Sequence, residues 1–334
     1  MKTVLNRRRF VATLASAGAA SVMGATHSSA QDGPLETTTV RLGKAPGICV
    51  APLYVGEELL RAEGFTDIQF VDIPIEGLAA QLARGAVDIT SAFSPTYLTA
   101  IDAGQPITVI GGQHIGCFEL FAREGIRSIP DLKGKNVGVQ SLGSPQHLFI
   151  CTMAAYVGLD PAKDIHWVTG ASPKPMELFA AGKIDAFLGF PPEPQDLRGR
   201  GVGRVIVNSI LDRPWSQYFC CMIGANSDYV RRNPNATKRI LRASAKAADL
   251  CATQPERSAQ RIIERGFAQN YDLALQSLKD IPYTKWRDFN AEDAIRFYAL
   301  RLYEAGMIKS SPNKLIAQGS DFRFFNELKR EFKA

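Results

Sequence analysis

This sequence lacks the residue groupings by which catalysis and metal binding usually declare themselves. It holds only four histidines, and His114, His147 and His166 show no metal-type spacing. None of its six cysteines stands in a Cys-x-x-Cys frame. There is no Gly-x-Ser-x-Gly elbow, no phosphate-loop lysine motif and no complete dinucleotide glycine fingerprint; Gly199-Arg200-Gly201-Val202-Gly203 reads as a polar turn. Together these absences point away from an enzyme and imply neither a metal nor a cofactor. Long apolar runs are missing too: the weakly apolar stretch Ala12 to Ala25 is rich in small residues and short of the roughly 18 needed to cross a bilayer.

A strong surplus of charge is also absent once the N-terminus is set apart. Arg7-Arg8-Arg9-Phe10, the small-residue stretch and Ser28-Ser29-Ala30 form a signal peptide over residues 1–30, with a twin-arginine pattern. Removing Lys2, Arg7, Arg8 and Arg9 leaves 35 cations against 33 acids, so the formal charge falls from +6 to +2. That is no electrostatic footprint for nucleic acid. The remaining chain, 46% apolar in the whole sequence, is long enough to bury one large core or two lobes.

What is present is organised around Asp131 to Leu148. Lys133-Gly134-Lys135 reads as a turn, Val137-Gly138-Val139 as a buried strand, and Gln140 to Ser144 as a polar loop entering a helix. Ser144 before Pro145 is an N-cap and N1 pair, since serine accepts an orphan amide and proline has none to lose. The other amides of that helix start, with the positive end of its dipole, face the carboxyl edge of the strand, where open α/β sheets bind ligands.

Upstream, Thr38–Leu42, Ile68–Ile73, Val87–Phe93 and Ile107–His114 read as strands separated by helices from Pro52 to Ala62, Gly77 to Arg84 and Pro95 to Ala103. Downstream the rhythm repeats: a helix from Pro145 to Val157, a strand near His166–Thr169, a helix from Pro175 to Ala181 and a strand Ala186–Phe190. Such alternation predicts right-handed βαβ units and mostly parallel sheets. Val205–Val207 and Tyr218–Ile223 are expected to close the second sheet, and the chain from Asn226 onward to be mostly helical. Leu300, Leu302, Met307 and Ile308 read as core. Cys49, Cys117 and Cys151 read as small buried thiols, and strand alternation should point Cys220 and Cys221 to opposite faces.

Asp131-Leu132-Lys133-Gly134-Lys135-x-Val137-Gly138-Val139 resembles the strand that opens the second lobe of periplasmic solute-binding proteins serving nitrate, sulfonate and taurine ABC importers. Ala51-Pro52-Leu53-Tyr54-Val55, Ala180-Ala181-Gly182-Lys183-Ile184-Asp185-Ala186-Phe187 and Pro191-Pro192 fit that family in order, including its branch that binds thiamine-pyrimidine precursors. The resemblance implies a type II-like, two-lobed α/β fold with helices flanking each sheet and a helical C-terminal part. Lobe 1 would comprise residues 31–118 and 224–334, and lobe 2 residues 119–223, with crossings near 117–123 and 218–223. It further implies a monomeric periplasmic protein, not membrane-spanning, that captures a small polar organic solute by hinge closure and hands it to a membrane-embedded ABC permease. Pyrimidine synthases of thiamine biosynthesis share the scaffold but carry a cysteine-rich motif, of which Cys220-Cys221 is only a fragment; a sensory binding protein is the third alternative.

Five strand-end loops are expected to converge on the cleft, and they supply the candidate ligand-binding residues: Lys44 and Cys49, Phe93 and Ser94, His114, then Ser141, Ser144 and Gln146, then Phe190 and Glu193, with Tyr218 from the later crossing. Ser141, Ser144 and Gln146 offer donors to an anionic head group, or Ser144 simply caps its helix. Phe93, Phe190 and Tyr218 offer apolar walls, or are core; Lys44 lends charge, or is a solvated lysine. Glu193 would repel the smallest anions and suit an amino-heterocycle or ammonium group, or it caps the helix after Pro192 and pairs with Arg198. Sulfonate, nitrate, carboxylate, aromatic and amino-pyrimidine ligands all stay open.

Overall fold

The computed structural model describes residues 32–44, 47–74, 77–170, 172 and 174–333. The expected twin-arginine signal over residues 1–30 lies outside the described residues. From Leu35 onward the chain forms a single unit.

Among the described residues ten strands build two sheets: β1 Thr39–Lys44, β2 Asp67–Asp72, β3 Ile89–Phe93, β4 Ile107–Ile115, β5 Glu119–Ala122, β6 Lys135–Val139, β7 Ile165–Thr169, β8 Ala186–Gly189, β9 Arg204–Asn208 and β10 Phe219–Asn226. The first sheet runs β2-β1-β3-β10-β4 and the second β7-β6-β8-β5-β9. β1, β2 and β3 pair in parallel, whereas β10 runs antiparallel to both β3 and β4. The second sheet repeats this plan, with β5 antiparallel between β8 and β9. Each sheet is thus mostly parallel with one reversed strand next to its edge strand. The sequence expectation that Tyr218–Ile223 closes the second sheet is corrected here, because β10 lies wholly in the first.

Burial explains these placements. In β1, Val40 and Leu42 are fully buried and pack with Ile89, Ile110, Ile223 and the helix residues Leu241 and Leu328 on one face of the first sheet. Phe121, Phe179, Ile184, Phe187 and Leu197 form the corresponding cluster beside the second. The helix expected over Pro52–Ala62 is two short pieces, Ala51–Val55 and Glu57–Ala62, parted at Gly56, a poor helix former. After β10 the chain is helical, as expected, from Ser227 to Glu331, with breaks between the helices. Leu302 is core, but Leu300 is exposed.

The helix Ala291–Glu304 sits against both halves through Tyr298, whose ring lies 5.3 Å from Phe93 and 6.1 Å from Phe149. Phe93 ends a first-sheet strand, while Phe149 belongs to the Pro145–Tyr156 helix of the second half. Their rings are themselves 4.9 Å apart. The aromatic core therefore continues across the junction. Among the described residues no helix is long and apolar enough to cross a membrane.

Candidate functional site

The carboxyl ends of β1, β3, β6 and β8 are followed by the loops or helix starts that enclose a small cavity of about 40 Å³ between the two sheets. Its walls come from both: Cys49, Val50, Ser91 and Phe93 from the first half, Pro145 and Phe190 from the second, and Cys117 and Phe118 from the crossing between β4 and β5. The lining is mainly apolar and aromatic. Among the described residues no lysine or arginine borders it.

The walls are tied together by backbone bonds. Ile48 N–H donates to the Pro191 carbonyl at 3.2 Å, so the loop after β1 is fastened to the loop after β8. Gly47 makes this approach possible: at φ +140° and with a hypothetical Cβ 3.3 Å from the Phe190 ring, it sits where a side chain would be both strained and crowded. Farther out, Arg198 pairs with Glu119 of β5 at 3.1 Å and also with Asp280, while Gln195 donates to Asp280 at 3.0 Å. Asp280 ends the Tyr271–Asp280 helix of the C-terminal part. Burial pushes the Glu119 carboxyl above its ordinary range despite the Arg198 charge.

Of the residues anticipated from sequence, Cys49, Phe93 and Phe190 line the cavity. The others are placed differently. Ser94 begins a helix and donates to the Phe219 and Cys220 carbonyls at 3.2 and 3.1 Å. Ser144 is a cap: its hydroxyl accepts the His147 N–H at 3.4 Å, and its neighbour Pro145 is the one that meets the cavity. Ser141 lies half-buried on the preceding bend, and its carbonyl accepts the Ser144 N–H. Gln146 is buried, and its Oε1 has no hydrogen-bond partner among the described residues. Lys44 pairs with Asp72 at 3.0 Å and lies over the Phe267 ring. Tyr218 stacks on Phe297 at 4.0 Å.

Glu193 opens the Glu193–Gly199 helix, and its carboxylate accepts the Phe190 N–H at 3.3 Å. Burial raises this carboxyl to about 7. Arg198 pairs elsewhere, with Glu119 and Asp280. His147 is pushed the other way, to about 4, because burial disfavours its charged form. Its Nδ1 accepts the Gly143 N–H at 3.0 Å, and its ring meets Trp167 edge-on at 4.5 Å.

His114 is the residue whose surroundings sequence reasoning missed. The thiols of Cys49, Cys117 and Cys221 and a ring nitrogen of His114 all lie within 4.8 Å of one another, and all four residues are buried. Three separate stretches of chain deliver them. Gly116, in the left-handed region at φ +48°, lets the chain turn between His114 and Cys117; a Cβ there would sit 2.5 Å from the Ser209 carbonyl oxygen. Cys220 joins the edge of the group, its sulfur 3.6 Å from that of Cys117. The expected opposite-face arrangement of Cys220 and Cys221 is not kept, because the register of β10 against β4 slips around Cys221. Hydrogen bonds from Cys117, Cys220 and Cys49 draw the Cys221 thiol well below its ordinary value, while burial pushes Cys117 and Cys220 up.

A family model described as NMT1/THI5 like matches residues 68–258. The chain belongs to the NMT1/THI5-like family. This NMT1/THI5-like protein is 24% identical over 315 residues to the bicarbonate-binding protein CmpA of Synechococcus elongatus, across 78% of this chain and 68% of that relative. Among solved structures it resembles the periplasmic nitrate-binding protein NrtA of Synechocystis, with a TM-score of 0.73 at 17% identity over 90% of each chain. It also resembles the alkanesulfonate-binding protein SsuA of Xanthomonas axonopodis bound to MOPS, with a TM-score of 0.68 at 19% identity over 82% of this chain and 95% of that one. The fold is therefore the two-lobed α/β fold of periplasmic binding proteins.

Proposed function

We propose that this NMT1/THI5-like protein is the solute-capturing component of an ABC importer, which closes on a small organic molecule between its sheets and presents it to a membrane permease. The observation that carries this reading is the cavity itself, whose walls are shared by strand-end loops of both sheets. Relatives named for binding bicarbonate and nitrate and for alkanesulfonate support the transport role. In this reading the lobes meet at the short crossing Gly116–Phe118 and at the return between β9 and β10, and the protein acts as a periplasmic monomer exported by the twin-arginine route.

The lining argues for an organic solute over a bare inorganic anion. A free anion needs charge or several donors in place of its hydration shell. Here Phe93, Phe118 and Phe190 present rings, and Ser91 and Thr96 supply the hydroxyls. Such walls suit a flat or alkyl body with a modest polar end once the two halves part to widen the space, since about 40 Å³ admits little more than a water molecule. Closure is driven by contacts that exist only when both halves surround the solute.

Isothermal titration of the purified protein with nitrate, bicarbonate, alkanesulfonates, aromatic acids and amino-pyrimidines tests the reading. An organic member is expected to bind, and Phe190→Ala to weaken it about tenfold or more, the worth of one lost aromatic contact of roughly 1.5 kcal/mol. Ser141→Ala is expected to leave affinity unchanged. Tight binding of nitrate or bicarbonate alone, indifferent to Phe190, would overturn the assignment of solute class; turnover of a bound substrate would overturn the transport role.

A further inference from the structure

We infer that Cys49, His114, Cys117 and Cys221 form a four-coordinate site for a thiophilic divalent cation, with zinc the best match. Three sulfurs and one imidazole nitrogen are a donor set of the kind that holds structural zinc. In a tetrahedron with Zn–S bonds of about 2.3 Å, sulfurs stand about 3.8 Å apart. The four ligand atoms here lie within 4.8 Å of one another, so adjustments of roughly 1 Å or less close the polyhedron.

The surroundings are arranged as metal surroundings are. His114 Nδ1 lies 3.0 Å from the Gly116 carbonyl and 3.3 Å from that of Ile115, an arrangement in which it donates its proton and fixes the tautomer. Nε2 then carries the free lone pair, and it is buried with no hydrogen-bond partner among the described residues. A buried unpartnered imidazole nitrogen calls for an occupant. The backbone at or beside three ligands is also pinned by a buried hydroxyl: Tyr283 donates to the Cys49 carbonyl at 3.0 Å, Ser209 accepts the Cys117 N–H at 3.1 Å, and Ser94 donates to the carbonyl of Cys220, next to Cys221. The cavity reaches Cys49, Cys117 and Cys221, so an ion held by them would sit at its wall.

Binding exchanges three S–H bonds for three metal–sulfur bonds, with the protons passing to solvent, while His114 contributes its neutral lone pair. The ion would join the loop after β1, the crossing after β4 and the returning strand β10. It would form the floor of the solute cavity and lock the base of the junction, whichever solute occupies the space above.

The test is metal analysis of the protein purified under reducing conditions without chelator, followed by stripping and titration with cobalt(II). About one equivalent of zinc in the purified protein is expected. Cobalt(II) should add one equivalent with thiolate-to-cobalt charge transfer and strong tetrahedral visible bands, which zinc bleaches. Cys221→Ser and His114→Gln, checked for folding by circular dichroism, should weaken cobalt about a hundredfold or more, beyond the 10–100-fold typical of an outer-shell partner. Cys251→Ser, a buried thiol outside the group, should behave as wild type. If a serine variant does not fold, the wild-type titration decides alone. A folded wild-type protein that takes up no cobalt with charge transfer while all six thiols titrate on unfolding would overturn the inference. So would metal-free material in which peptide mapping finds Cys117 disulfide-bonded to Cys220.

Discussion

Glu193 and His147 carry opposite titrations inside the same half of the molecule. The Glu193 carboxyl, raised to about 7, favours the protonated form in the fold, so its contribution to stability is complete below its unfolded value and is lost as pH rises through 7. His147, lowered to about 4, favours the neutral form; its contribution is complete above about 6.5 and is lost as pH falls through 4. Between roughly pH 4.5 and 6.5 the two slopes cancel, and wild-type stability should look flat there as far as these groups decide it. Glu193→Gln keeps an acceptor for the Phe190 N–H and removes the cost of the charge. Urea unfolding at pH 8 should show it more stable than wild type by about 2 kcal/mol, with little difference at pH 4.5. His147→Gln should remove the acid-side loss, so that its stability falls less steeply than wild type between pH 6.5 and 4. The capping role of Ser144 is legible in its Ser-Pro pair, whereas Glu193, expected to cap its helix or to face the solute, accepts the Phe190 N–H ahead of the helix instead. The thiol and imidazole cluster is not legible, because positions 49, 114, 117 and 221 share no spacing and meet only through the crossing strands.

Elements are legible where a local pattern defines them and less so where a distant partner does. The Ser-Pro start at residue 144 and the alternation of β1 depend on near neighbours, and the observed helix Pro145–Tyr156 and strand Thr39–Lys44 match them within two residues. Sheet membership of β10 depends on β3 and β4, more than a hundred residues earlier, and its slipped register has no sequence signal. The Pro52–Ala62 pattern is amphipathic enough to hide the break at Gly56. At this scale Gly116 is the critical joint, since β4 ends at Ile115 and β5 begins at Glu119. Gly116→Ala would place a Cβ against Ser209 and Ile210 and force a left-handed alanine, and should cost about 1–3 kcal/mol of stability, seen as a lowered denaturant midpoint with an unchanged slope.

At the scale of the whole molecule the two halves are joined at the rim by polar groups and at the centre by rings. Arg198 and Gln195 both reach Asp280, across from the second half to the C-terminal helices. Asp280→Ala should favour the open form: faster solute release, up to about tenfold weaker binding, and a larger radius of gyration by small-angle scattering in the presence of solute. An unchanged off-rate would remove this clasp from the closure mechanism. Two βαβ sheets are legible from the repeated strand and helix rhythm, and the two-lobed plan from the resemblance, but not which residues touch across the junction, since that depends on how the finished halves meet.

The reversed strand in each sheet also sets an order of assembly. The second sheet draws all its strands from one uninterrupted stretch, β5 to β9, and is complete as soon as Asn208 has been synthesised. The first sheet has a vacancy between β3 and β4 until β10 arrives, with Ser94 and its acceptor carbonyl at Phe219 standing 125 residues apart in the chain. During translation the half made first is therefore finished last, and its open strand edges wait for the other half to emerge. Truncation before residue 219 would leave those edges permanently bare, a template for association with other chains.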